Sequence, residues 1–149
     1  MPPTPRDLTH TPSLLFAQVP GYKEAEADLK AVGIDEVVIF CVNDGAVMDA
    51  WAEDQGVAKS PMIKMMGDPT GTLTAKLGMV LDHPGPMAKL GYKRSKRFAA
   101  YIVDGVIKLV KVSEGGPMGE EDPAGDDFPE DTLAPSMIKA IQALGKDEL

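Results

Sequence analysis

The stretch Ile34–Trp51, IDEVVIFCVNDGAVMDAW, decides the fold of this chain. Val37, Val38, Ile39 and Phe40 form an unbroken, mostly β-branched apolar run. Such a run predicts a strand buried on both faces, as in a parallel sheet. Asn43 and Asp44 follow directly, and either side chain can accept a backbone N–H and cap a helix. Val47, Met48 and Trp51 then recur at helical spacing. The chain's one cysteine, Cys41, falls at the C-terminal end of the strand, where open α/β sheets place ligands and chemistry.

Upstream, residues 1–13 hold four prolines and read as an extended segment ahead of a domain spanning residues 14–149. Ser13 opens a short helix reaching Gln18, which Pro20 is expected to interrupt because an interior proline removes a hydrogen bond. A second helix is expected over Tyr22–Val32, with Tyr22, Ala25, Leu29 and Val32 on its apolar face and Gly33 as its stop. Downstream, Met62–Met66 reads as a short strand, Asp68-Pro69-Thr70-Gly71 as a turn, and Leu73–Leu77 as a helical turn. Gly78–Tyr92 reads as a long loop. Arg97–Val103 and Val106–Val112 form a hairpin around Asp104-Gly105, a favoured two-residue turn. Ser113–Asp131 is a Gly/Pro/acid loop too polar to fold alone. Thr132 is expected to cap a last helix ending at Leu144, with Met137, Ile138, Ile141 and Leu144 buried. This order of elements implies an α/β domain with a mixed sheet.

A chain of 149 residues, 44% hydrophobic, matches one domain with a real core. No window approaches the ~18 apolar residues of a membrane span, and the proline-rich, polar Met1–Pro12 stretch shows no secretory leader. One cysteine excludes an internal disulfide and a cysteine metal site, and two histidines argue against zinc. Neither a metal nor a cofactor is expected. The net charge of -8 is not spread evenly. Val112–Ile138 holds eight acids and no base, which leaves fifteen acids to balance the fifteen bases elsewhere. The acidity is one local segment on an otherwise neutral domain.

Four stretches together resemble one family: VPGY (Val19–Tyr22), VNDGAVMDAW (Val42–Trp51), DPTG (Asp68–Gly71) and RSKRFAAYIVDG (Arg94–Gly105). They look like the type-five, atypical 2-Cys peroxiredoxins, and LAPSMIKAI (Leu133–Ile141) looks like that family's last helix. The resemblance covers about residues 10–144. It implies a thioredoxin-like fold and thiol-dependent reduction of hydrogen peroxide and alkyl hydroperoxides. The family motif is Pro-x-x-x-Thr-x-x-Cys. Here the resemblance places Thr11 at the family threonine and Arg94 at the family arginine, with Asp7 in place of the proline and Leu14 in place of the peroxidatic cysteine. Glu130-Asp131-Thr132 stands in the resolving-cysteine region. The resemblance also implies a central strand entering the motif, between the equivalents of Val37–Val42 and Arg97–Val103. Only MPPTPR precedes the motif, and proline cannot donate to a ladder. The expectation is a missing central strand, supplied by a partner chain or another segment, or a sheet that closes up.

The sharper readings each have a plainer rival. Cys41 is either a displaced nucleophile or a small buried hydrophobe in an apolar strand. Thr11 and Arg94 form either a surviving peroxide or anion site or a structural relic. The basic run Lys93–Arg97 is explained by the family pattern rather than by nucleic-acid binding. Glu120, Glu121, Asp122, Asp126 and Asp127 form either a docking surface for a basic protein partner or a solvated insertion. Lys146-Asp147-Glu148-Leu149 matches an ER-retrieval signal, and the compartment stays open, an organelle included. The leading expectation is a non-catalytic, peroxiredoxin-like pseudoenzyme that binds a protein partner within an assembly. The alternative is a thiol-dependent peroxidase using Cys41.

Overall fold

A computed structural model of the chain describes residues 13–91 and 94–147. Helix α1 spans Ser13–Glu24 and α2 spans Glu26–Ala31. The strand of the opening stretch, β1, is Val37–Cys41, and α3 follows over Gly45–Asp54. Then come β2 (Ile63–Gly67), α4 (Thr72–Lys76), β3 (Val80–Leu81), α5 (Pro84–Leu90) and β4 (Arg94–Ser95). The hairpin strands are β5 (Arg97–Val103) and β6 (Val106–Ser113). A 3-10 turn over Glu130–Thr132 leads into α6, Ala134–Asp147.

The strands pair two by two. β1 and β2 run parallel from Val37↔Ile63 to Cys41↔Gly67, while β3–β4 and β5–β6 are antiparallel. The β5–β6 hairpin turns where the sequence predicts: Asp104 and Gly105 have φ of 50° and 77°, the doubly positive geometry that matches strand twist. Gly67 answers a different need. A Cβ there would run into the Asn43 carbonyl oxygen, because the chain leaving β1 crosses the end of β2.

The core lies where one face of β1–β2 meets α1 and α3. Val19, Ala52, Val57 and Ile63 are buried together, with Val37, Ile39, Tyr22, Trp51 and Met65 packed around them. Each such aliphatic side chain contributes about 1.5–3 kcal/mol when fully buried. Helix α6 buries Ala134, Met137 and Ile141, a stripe at the i, i+3, i+7 spacing of an amphipathic helix. No described helix is long and apolar enough to cross a membrane.

Several expectations need correction. Pro20 does not end a helix: α1 runs through it, and the break falls at Ala25. Contacts on both sides of the proline hold the axis, with Val19 1% exposed and the Tyr22 hydroxyl donating to Thr132 O at 2.8 Å. The expected Gly78–Tyr92 loop contains β3 and α5. Pro84 starts α5 rather than preventing it, since proline's missing N–H is unneeded in a first turn. Thr132 does not cap the last helix. It is fully buried in the 3-10 turn, bonded through its hydroxyl to Pro129 O.

The strand read as buried on both faces is not. No residue of β1 is fully buried, and Val38 is 48% exposed. The apolar run correctly marks a strand, but β1 has a ladder partner on one side alone among the described residues.

Candidate functional site

Asn43 and Asp44 divide the work at the end of β1. The Asp44 Oδ1 accepts the Val47 N–H at 2.9 Å and caps α3. Asn43 instead turns its Oδ1 to Arg94, which donates from Nη1 at 3.2 Å and also reaches Val42 O at 3.3 Å. The Cys41 carbonyl accepts two N–H groups, from Asn43 and Asp68, each at 2.8 Å. The turn is thereby tied to the end of β2 and to β4.

Cys41 itself is half-buried at this junction. Burial pushes its thiol above the usual range, and the positive charges of Arg94 and Arg97 oppose that rise. Alternation along β1 places Cys41 on the face of Val37 and Ile39, the face that packs on the core shared with α1. A cavity of about 330 Å³ opens beside Arg94, lined also by Val42, Thr70, Thr72, Thr74 and Val80. Cys41 does not line it.

The DPTG turn builds one wall of this cavity. Asp68, 8% exposed, accepts the Thr74 N–H at 2.9 Å and its hydroxyl at 2.8 Å on Oδ2, and the Leu73 N–H on Oδ1. The Thr74 N–H, aided by the Thr74 hydroxyl and the Leu73 and Thr72 N–H groups, holds the Asp68 carboxyl below its ordinary range, against the cost of desolvation.

Leu14 lies in the first turn of α1. Thr11 lies outside the described residues, as do Glu148 and Leu149 of the C-terminal tetrapeptide. The structure therefore places Arg94 and Cys41 near one another and leaves the Thr11 expectation outside its reach.

A second arginine, Arg97, is a clamp that the motif pattern did not single out. Its Nη1 donates to Gln18 Oε1 of α1 at 2.7 Å, and its Nη2 donates to Asp126 Oδ1 at 2.9 Å. One side chain thus joins β5, α1 and the acidic loop. The loop exposes its acids to solvent, Asp122 excepted, and is ordered from within by that one residue. Asp122, 5% exposed, accepts N–H groups from Asp126, Asp127 and Phe128 at 3.1, 3.0 and 2.8 Å. Asp122 is therefore withdrawn from any docking surface, because its carboxylate folds the loop. Glu120 receives the Met118 N–H, and Asp126 pairs with Arg97. Glu121 and Asp127 complete the acidic set. Glu121 belongs to a bridge with Gly115, and Asp127 donates its N–H to Asp122.

Comparison with known proteins agrees with this architecture. The Redoxin family model matches residues 16–133. The chain belongs to the redoxin family. Peroxiredoxin-2E, a chloroplastic protein of Arabidopsis thaliana, is 38% identical over 106 residues, covering 71% of this chain and 44% of the relative. A peroxiredoxin of Rhizobium etli is 34% identical over 125 residues, covering 83% and 66%. Among solved structures, reduced Prx3 of Vibrio vulnificus in complex with hydrogen peroxide superposes with a TM-score of 0.67 at 31% identity, covering 89% of this chain and 71% of that one. Peroxiredoxin 5 of Alvinella pompejana gives 0.65 at 28% identity, over 85% and 68%. This redoxin has the thioredoxin-like peroxiredoxin fold, with a type-five peroxiredoxin among its structural neighbours. The chain spans about half the length of the chloroplastic relative.

Proposed function

We propose that this redoxin is a thiol-dependent peroxidase whose nucleophile is Cys41, the chain's one thiol. The peroxiredoxin relatives support this reading over the non-catalytic one. The observation that carries it is the placement of the thiol: Cys41 ends β1 at the turn that Arg94 holds, and although burial raises the thiol above its ordinary range, the charges of Arg94 and Arg97 oppose that rise. Arg94 is fixed on the adjoining Val42 carbonyl and Asn43.

In the proposed step the Cys41 thiolate attacks one peroxide oxygen. An S–O bond forms as the O–O bond breaks, and the leaving oxygen departs with the bonding pair and takes a proton. The cysteine becomes a sulfenic acid. An external low-molecular-weight thiol then displaces water from it to give a mixed disulfide, and a second thiol restores Cys41. Titrating the protein with one equivalent of hydrogen peroxide in the presence of dimedone tests this. The expected result is one adduct on Cys41, none in Cys41→Ser, and peroxide turnover that needs added thiol. Absence of the adduct at both neutral and alkaline pH refutes the peroxidase reading.

A specific observation favours a second reading, a non-catalytic binding or structural subunit. Leu14 occupies the first turn of α1, where the resemblance puts the nucleophile, and burial works against the Cys41 thiolate. A Cys41 that stays inert under the same titration is its expected outcome. Chloroplastic and mitochondrial relatives support an organelle location for either.

A further inference from the structure

The cavity beside Arg94 stands apart from Cys41, which does not line it. It opens between the end of β1, the turn after β2, α4 and the β3–β4 pair. Its volume of about 330 Å³ lies at the lower end of the range for small-molecule sites.

The charge of this cavity runs against that of the chain. The sequence carries 23 acids and 15 bases, yet the described lining holds two bases, Lys76 and Arg94, and no acid. Asp68, which builds the wall, is not in the lining, and its carboxylate is engaged by the Leu73 and Thr74 N–H groups and the Thr74 hydroxyl. The ion pairs among the described residues are Lys96–Glu114 and Arg97–Asp126, and Lys76 belongs to neither. Arg94 gives Nη1 to Val42 O and Asn43 Oδ1, so its part here is charge in the wall.

The hydroxyls add direction. Thr70 Oγ1 and Thr72 Oγ1 lie 2.7 Å apart. One donates to the other, so the accepting hydroxyl keeps its own hydrogen for a further acceptor. An ammonium and a hydroxyl hydrogen call for a ligand group that only accepts, and charge strengthens such bonds. The rest of the lining is aliphatic, with Val42, Ala75 and Val80, which suits a hydrocarbon stem. We propose that this cavity binds a small organic carboxylate, its anionic end on Lys76 and the Thr70–Thr72 hydroxyl pair and its aliphatic stem against Val42, Ala75 and Val80. The inference does not depend on the chemistry of Cys41.

The test titrates the full chain with sodium hexanoate at fixed ionic strength and follows the amide resonances by NMR. Expected is a saturable shift of the Gly71, Thr72 and Ala75 amides, with a dissociation constant of about 1 mM. Ala75→Leu, at an exposed position that lines the cavity, should abolish the shift. Lys76→Met, also at an exposed position, should weaken binding about fivefold. Hexylammonium, with the same stem and the opposite charge, should leave these amides unmoved. Inorganic phosphate, which has no stem to bury, should bind at least about tenfold more weakly than hexanoate. Four results overturn the proposal. One is the absence of a saturable shift with hexanoate. Another is a shift that survives Ala75→Leu, which puts the ligand elsewhere. A third is binding that Lys76→Met leaves unchanged or that hexylammonium equals, which removes the anion from recognition. The last is phosphate binding as tight as hexanoate, which removes the stem.

Discussion

Asp122 should be the strongest single polar determinant of the acidic loop. Its carboxylate accepts three backbone N–H groups at 2.8–3.1 Å while the residue is 5% exposed. A hydrogen bond to a charged acceptor contributes about 1.5–3 kcal/mol. The three share one carboxylate, and the donors on Asp126, Asp127 and Phe128 can partly reach water when the loop relaxes. The expected loss for Asp122→Ala is therefore about 3–4 kcal/mol rather than the full sum. Asp122→Asn can turn its one acceptor oxygen to the Asp127 and Phe128 N–H groups and then loses only the bond to Asp126 and the charge, so about 1–2 kcal/mol is expected. Urea unfolding followed by circular dichroism reads both. At a slope of about 2 kcal/mol/M the alanine midpoint falls by roughly 1.5–2 M with the slope unchanged. The effect should reach α1, because the loop carries the Asp126 that pairs with Arg97, and Arg97 holds Gln18. An alanine variant within about 0.5 kcal/mol of the parent, the usual range of a neutral surface change, would refute the reasoning.

Tyr22→Phe should cost about 1 kcal/mol through the lost bond to Thr132 O. Burial pushes the Tyr22 phenol from 10.0 to about 12, so the stability tied to its neutral form is complete below pH 10 and fades between 10 and 12. That alkaline slope should vanish in the phenylalanine variant, as stability measured against pH would show. Asp68→Asn should speed exchange of the Leu73 and Thr74 amides, since a carboxylate oxygen they depend on is replaced by a donor. Because the Asp68 carboxyl is held below 3.8, its contribution is present above that pH and is lost as pH falls through the depressed value. The gap between parent and variant should therefore close in acid. Arg94→Met should move the pH midpoint of Cys41 alkylation by iodoacetamide upward, since one of the two charges favouring the thiolate is gone; an unmoved midpoint would remove Arg94 from the electrostatics of the thiol.

Local signals were legible where a residue acts on its immediate neighbours. The hairpin followed from Asp104-Gly105, and the start of α3 from Asn43-Asp44, though only geometry shows that Asp44 caps while Asn43 holds Arg94. Pro20 was misread because its local penalty was weighed without tertiary support, and the loop reading of Gly78–Tyr92 missed α5, which Pro84 opens from a first-turn position. The acidic loop has the composition of a disordered segment, yet one inward carboxylate organises it. Composition does not say which acid turns inward. Arg94 was legible through the family pattern. Arg97 was not, because its partners lie 79 and 29 residues away in the chain, and its role exists only once β5, α1 and the loop are brought together.

The placement of the thiol bears on how a peroxide would reach it. Cys41 shares the face of Val37 and Ile39, whereas the cavity beside Arg94 is lined by Val42 and not by Cys41. Arg94 thus acts on the thiol by charge across the strand end, not by sharing a pocket with it. A peroxide bound against Thr70, Thr72 and Arg94 would sit on the wrong side of the chain for attack. Filling that cavity with Ala75→Leu, at an exposed position of α4 that lines it, should therefore leave the rate of Cys41 alkylation and of sulfenic acid formation unchanged. A variant that slows both, while its circular dichroism and urea midpoint match the parent, would show that the cavity is the route to the thiol and that the two faces communicate.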